Sequence, residues 1–316
     1  MEPFELAPTN AALFYRRGDP NDRRLGELVT RDPQDYPHAA VVIIGYPEDE
    51  GVRRNGGRPG AAEAPAAIRR CLYRLGSAGI EGLRILDMGD TPPGPDLEAT
   101  HARQRATVRR MIADGKRLIT LGGGNDMAYP DVAGLVEGAG PALAINVDAH
   151  YDVRADQPRN SGTPYRQLLE EGLLAPERFG ILGTQPYANA PAYSRYLEER
   201  GVRVIPLREA RVHGVVATAR ELLARSHAGA VFWGFDMDVV HAAEAPGVSA
   251  PNPLGMSGEE LCALAELAGA EPRTRLVELS EVNPRYDVDQ RTARLAAVAI
   301  WHVLVGWAAR AEHEAN

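Results

Sequence analysis

The chain reads as an α/β protein: a three-layer α/β/α sandwich around a mostly parallel sheet of about eight strands. Three observations predict this. Short apolar runs recur along the 316 residues, amphipathic stretches lie between many of them, and the runs are apolar throughout instead of alternating. A strand that is apolar on both faces is covered on both, and in a parallel sheet the cover is supplied by crossover helices.

The elements follow in order. Residues 1–35, with the stretch Arg16-Arg17-Gly-Asp-Pro-Asn-Asp-Arg-Arg24, read as a polar N-terminal extension, and residues 36–316 as a single catalytic domain. Runs 40–45, 83–86, 118–121, 142–147, 179–183, 202–205, 230–235 and 276–279 predict strands. Helices are predicted over 64–75 with Pro65 near the start, over 98–113, over 190–199, and over 258–268 with Ser257 as N-cap. The late apolar segment 295–309, interrupted by His302 and Gly306, reads as a buried helix and not as a membrane span. No repeat or linker divides the chain.

Composition narrows the function. A net charge of -8 argues against a nucleic-acid partner or an anionic membrane surface. Two cysteines, Cys71 and Cys262, make neither a disulfide framework nor a thiolate zinc site, and they suit a reducing cytoplasm. The N-terminal MEPFELAPTN has neither a basic nor an apolar leader pattern.

In an open parallel sheet, chemistry gathers in the loops that leave the carboxyl ends of the strands. Ile145-Asn-Val-Asp148-Ala-His150-Tyr-Asp152 closes one run, with acids and an imidazole at alternate positions. If extended geometry continues, all three side chains point one way. Two carboxylates and an imidazole aimed at one point repel and desolvate badly without a cation. Phe235-Asp236-Met-Asp238 closes a second run with another alternate pair. Four carboxylates and one imidazole suit a hard or borderline cation such as Mn²⁺, and their surplus predicts bridging between two ions. A third loop, Leu276-Val-Glu278-Leu-Ser-Glu281-Val-Asn-Pro284, offers carboxylates that could pair with a cationic substrate group or simply lie exposed.

Leu121-Gly-Gly-Gly-Asn-Asp126 matches neither phosphate-binding glycine motif, and no lysine follows it. The glycines instead predict a sharp turn in close contact with a neighbouring loop, which carries Asn125 toward the acids. Asp126 is expected just outside them, as a cap or hydrogen-bond acceptor.

These motifs resemble the arginase/agmatinase/formimidoylglutamase (ureohydrolase) superfamily, over residues 41 to 309. Within it the resemblance is to the formimidoylglutamase branch. It is carried by Asp49-Glu-Gly-Val-Arg-Arg-Asn-Gly-Gly-Arg-Pro-Gly-Ala61, Ser161-Gly-Thr-Pro-Tyr165, Gly183-Thr-Gln-Pro-Tyr187, Ala245-Pro-Gly-Val-Ser-Ala-Pro251 and the segment from Glu281 to Ala293. The chain also reads Asp236-Met-Asp-Val-Val-His241, without the further Asp-Pro usual in arginase- and agmatinase-like members.

The resemblance implies two Mn²⁺ ions and hydrolysis of the amidine bond of N-formimidoyl-L-glutamate to L-glutamate and formamide, as in histidine degradation. One ion would be held by Asp148, His150, Asp236 and Asp238, and the other by Asp148, Asp152, Asp236 and position 125. That position is usually His; this chain has Asn125, a neutral and weaker donor. Catalytic roles are implied for Asp152, Glu281 and His150. Glu281 would hold the cationic formimidoyl end, Asp152 would carry a proton to the departing amine, and the ions would lower the pKa of the attacking water. The dicarboxylate substrate calls for arginine, and Arg53, Arg54, Arg58 and Arg154 are the candidates, with Ser161 as a further substrate contact. The same residues leave open a hydrolase of guanidino compounds, or a weakly catalytic binding protein on account of Asn125. By analogy the chain is expected to form a homo-oligomer, trimer or hexamer.

Overall fold

The computed structural model of the chain describes residues 4–315. Its strands are β1 (Val41–Gly45), β2 (Ile85–Asp90), β3 (Arg117–Leu121), β4 (Ala142–Val147), β5 (Phe179–Thr184), β6 (Arg203–Pro206), β7 (Ala230–Asp236) and β8 (Thr274–Ser280). They form one sheet in the order β2-β1-β3-β8-β7-β4-β5-β6, and every pairing is parallel. Each predicted run falls on a strand. The reason for their uninterrupted apolarity is visible in β1, where Val41 and Ile43 enter one core cluster and Val42 and Ile44 the other. Alternate side chains face opposite layers, and both layers are dry.

Boundaries differ where polar residues are buried. β2 begins at Ile85 and runs to Asp90, past the apolar run, because Asp87 is neutralised inside the fold by Arg69. The helices Ala64–Leu72, Leu97–Ala113, Pro191–Glu198 and Gly258–Ala270 occupy the predicted stretches. Ser257 caps the last of these in a reciprocal box with Glu260.

The C-terminal helix Arg291–Ala315 is longer than the apolar segment that announced it. Within it, Arg291–Ala311 is long and apolar enough to cross a membrane, with a mean hydropathy of 1.4, yet 56% of that window is buried. Ala293, Ala296, Ala297, Ile300, Val303, Leu304, Trp307 and Ala308 form its buried stripe at helical spacing. Gly306 lies so close to Gly269 that a side-chain carbon on either would strike the other's helix, which lets the two helices cross at their backbones.

Residues 4–35 lie against the β2 edge. Ala7 exchanges backbone hydrogen bonds with Asp90, Thr9 donates to Asp87 at 2.7 Å, and Leu25 and Val29 join the core.

Between β3 and β4 the sheet order turns on β8 and β7, so the loops after β1, β3, β4, β7 and β8 open onto one crevice at the carboxyl edge.

Candidate metal centre and active-site cavity

Extended geometry does not continue beyond β4. Asp148 to Tyr151 leave the ladder, and Asp152 takes a φ of 47°. The three predicted side chains still converge, but through a turn and not through strand alternation. A non-glycine residue in this left-handed region is strained by about 1–3 kcal/mol, and such residues concentrate at functional sites. Glu281, with φ of 63°, is the other such residue at the cavity.

Ligating atoms of Asp148, His150 and Asp238 lie within 4.8 Å of one another, as do those of Asp148, Asp152 and Asp236. Asp148 belongs to both groups. Its Oδ1 accepts the His150 backbone N–H at 2.7 Å and its Oδ2 accepts the Asn146 amide at 2.9 Å. Asp236 ends β7 and accepts the Asp238 N–H at 2.9 Å. The His150 ring nitrogen Nδ1 lies 3.2 Å from Asp238 and 3.4 Å from Asp148.

The electrostatics describe a site short of positive charge. Burial, then the charge of Asp148, pushes Asp152 well above the usual carboxylate range. Burial, then Asp238 and Asp148, does the same to Asp236, and burial raises Asp238. The charge of Asp238 in turn raises the His150 imidazole well above its ordinary value. Burial also raises Glu281. Asp238 Oδ1 and Glu281 Oε2 are buried with no hydrogen-bond partner among the described residues. Buried acids of this kind are stabilised by a cation.

The glycine triplet supplies closeness. A side-chain carbon on Gly123 would meet the Glu48 carbonyl at 2.1 Å, and one on Gly122 the Leu279 carbonyl at 2.7 Å. Neither residue has a positive φ; what they need is space. The triplet's N–H groups donate to Leu279, Tyr46 and Glu48, so none is left for a phosphate. The bend delivers Asn125, whose backbone N–H donates to Glu281 at 2.9 Å and whose Nδ2 donates to Asp152 at 2.5 Å. Asp126 sits behind it, accepting from Tyr46 at 3.0 Å and lying 2.9 Å from the buried His101.

A cavity of about 330 Å³ opens above the acids, lined by Asn125, His150, Asp152, Asp236, Asp238 and Glu281 on one side and by Asn55, Gly57, Arg154, Ser161, Tyr193 and Ser249 on the other. The predicted arginines divide here. Arg154 lines the cavity, and its guanidinium has no partner among the described residues. The other three do not reach it. Arg53 pairs with Asp49 at 2.7 Å, Arg54 with Glu50 and Glu98, and Arg58 donates to the Val248 and Ser249 carbonyls and stacks on Tyr286. The short helix Glu50–Arg54 turns the first two toward acidic neighbours, so the loop lines the cavity through Asn55, Gly56 and Gly57 instead. Ser161 accepts from Asn55 at 3.1 Å.

Neither loop glutamate is exposed. Glu281 reaches the cavity, whereas Glu278 belongs to β8 itself and is fully buried, its pKa raised by burial and by Asp131. His241 pairs with Glu244 at 2.9 Å and does not line the cavity. The sequence reading missed Asn55, Asn146, Tyr193 and Ser280. None carries a spacing signal, though Ser280 sits beside Glu281 and could have been flagged by that neighbour.

Comparison with known proteins gives a consistent result. Residues 39–306 match the model of the arginase family. A formimidoylglutamase of Salmonella paratyphi C is 33% identical over 313 residues, 95% of this chain and 98% of that protein. The crystal structure of Trypanosoma cruzi formiminoglutamase with two Mn²⁺ ions superposes with a TM-score of 0.86 at 34% identity, covering 91% of this chain and 99% of that one. Formimidoylglutamase from Bacillus subtilis gives 0.87 at 27% identity, covering 93% and 94%.

Proposed function

The chain belongs to the arginase family, and on that premise we propose that it is a Mn²⁺-dependent hydrolase of N-formimidoyl-L-glutamate. It releases L-glutamate and formamide by cleaving the amidine C–N bond. The observation that carries this reading is the polarity of the cavity: cation-seeking acids and Glu281 on one side, and on the other Arg154, without a partner among the described residues. That polarity fits a substrate with an amidinium at one end and carboxylates at the other.

The residues present fit the metal. Asp148, His150, Asp236 and Asp238 would hold one ion, and Asp148, Asp152, Asp236 and the Asn125 oxygen the other. Oxygen donors with one imidazole suit Mn²⁺, and shared carboxylates suit a pair of ions. When bound, the ions supply Lewis acidity and a water of lowered pKa. The chain supplies the rest. Glu281 faces the amidinium and holds the formimidoyl carbon over the acids. Arg154 binds a substrate carboxylate, and Ser161, steadied by Asn55, adds a neutral contact. Asp152 accepts a proton from the attacking water and passes it to the departing amine nitrogen.

The test is release of glutamate and formamide by the purified, Mn²⁺-loaded protein. No turnover at saturating substrate and metal would overturn the reading, and urea release from agmatine or arginine would replace it with a guanidino hydrolase. The site in the cytoplasm is supported by the two unpaired cysteines. A homo-oligomer, trimer or hexamer, is supported by analogy with the superfamily, and light scattering tests it.

A further inference from the structure

Asn125 and Ser280 form a buried pair, of which the reaction so far leaves the serine unused. Ser280, at the end of β8, has no solvent exposure, and its hydroxyl donates to Asn125 Oδ1 at 3.0 Å. On the other side of the same amide, Nδ2 donates to Asp152 at 2.5 Å and to Asp148 at 3.4 Å. In this arrangement the amide turns its hydrogens toward the acids and its oxygen toward Ser280. A cation among those acids reverses the preference, because N–H hydrogens repel it and the carbonyl oxygen binds it. A half-turn about the Cβ–Cγ bond exchanges the two ends. The oxygen then faces the ion, and the buried N–H group needs an acceptor where the oxygen had been.

We infer that Ser280 is the positioning residue that makes Asn125 a usable Mn²⁺ ligand, by donating to its oxygen in the arrangement seen and accepting from its nitrogen in the ligating one. A hydroxyl can do both, since it carries one donor hydrogen and two acceptor lone pairs. An apolar side chain at 280 could do neither, and would leave a buried amide hydrogen unsatisfied whenever Asn125 bound the ion. The inference rests on the reading of Asn125 as a ligand. It adds that the neutral ligand works here because β8 supplies an ambidextrous partner beside it. No carboxylate could serve as well at 280, since it would lack the donor hydrogen and add charge beside Asp236, its register neighbour on β7.

Mn²⁺ titration of the full-length protein, followed by the EPR signal of free Mn²⁺, tests this without reference to turnover. Wild type is expected to bind two ions per chain. Ser280→Ala should keep the first site and weaken the second about tenfold, the usual scale for losing an outer partner of a metal ligand. Ser280→Thr, which keeps the hydroxyl, should restore it. In an Asn125→His background, Ser280→Ala should change the second site little, because no amide remains to be oriented. A cooperative thermal melt of each metal-free variant confirms folding. Wild-type binding by Ser280→Ala, or an equal loss in the Asn125→His background, would overturn the inference. Two tightly held ions in Asn125→Ala would instead remove the ligand reading itself.

Discussion

Two regions of this molecule bury carboxylates, and they solve the problem in opposite ways. At the β2 edge, Asp87 and Asp90 surround Arg69, which is 1% exposed. Arg69 donates to Asp87 at 2.8 and 2.9 Å and also to Asp90, while Tyr73 and Thr9 complete Asp87. Burial alone would lower the Arg69 pKa, but the charges of Asp87 and Asp90 carry it above its ordinary value. That cluster contains its own cation. At the cavity, Asp148, Asp152, Asp236, Asp238 and Glu281 are joined by His150, and burial with mutual repulsion pushes Asp152 and Asp236 upward. The first cluster is structural and closed; the second is completed from outside. A buried charge is paired or it binds a metal, and each region takes one of these routes.

The comparison can be broken most forcefully at Asp236. Asp236→Ala removes a carboxylate common to both proposed ion sites, and kcat/KM should fall by about 10³-fold or more, equivalent to about 4 kcal/mol of transition-state stabilisation. Mn²⁺ should no longer raise the melting temperature, although in wild type at a hundred times its dissociation constant it adds about 2.7 kcal/mol. Retained activity or an unchanged metal-dependent shift would place the ions elsewhere.

Arg69→Met attacks the other region. Leaving Asp87 and Asp90 without their cation should cost about 3–5 kcal/mol in urea unfolding. Activity per folded molecule and the response to Mn²⁺ should survive, and their loss would show that the two clusters are not independent.

Asp131 sharpens the contrast, because among the described residues it has neither an arginine partner nor a place in the cavity lining. It accepts from Thr120 at 2.6 Å and from Gln104 at 2.7 Å, and burial raises its pKa from an ordinary 3.8 to about 6. A carboxyl raised on folding contributes stability that is complete below its unfolded pKa and lost as pH rises through the folded one. Between about pH 4 and 6, metal-free protein should therefore lose about 3 kcal/mol from this group. Asp131→Asn should flatten that part of the profile, and an unchanged profile would rule Asp131 out as its source.

The smallest effect is expected at Arg154. Arg154→Ala should raise KM for formimidoylglutamate about 10- to 100-fold, the scale of one charged hydrogen bond, with less effect on kcat. An unchanged KM would mean that another group holds the substrate carboxylates.

Much of this was legible in the residues. The eight strands could be read because a parallel strand dry on both faces favours apolar residues at successive positions, as β1 shows. The acids could be read because Asp148, His150, Asp152, Asp236 and Asp238 stand in short spacings at strand ends. The arginines could not be sorted. Arg53 and Arg54 are as cationic as Arg154, and only the turn of a five-residue helix commits them to Asp49, Glu50 and Glu98.

By itself, then, the sequence determined the sheet, the set of acids and the glycine bend that brings Asn125 to them, since local chemistry and short-range periodicity suffice for each. The tertiary structure decided which groups meet across long separations. It set Ser280 against Asn125 from 155 residues away, it turned Asp152 through a left-handed φ toward Asp148 and Asp236, and it brought Arg154, and not Arg53, Arg54 or Arg58, to the cavity wall. Pairings of that kind depend on strand order and loop packing, which no window of neighbouring residues encodes.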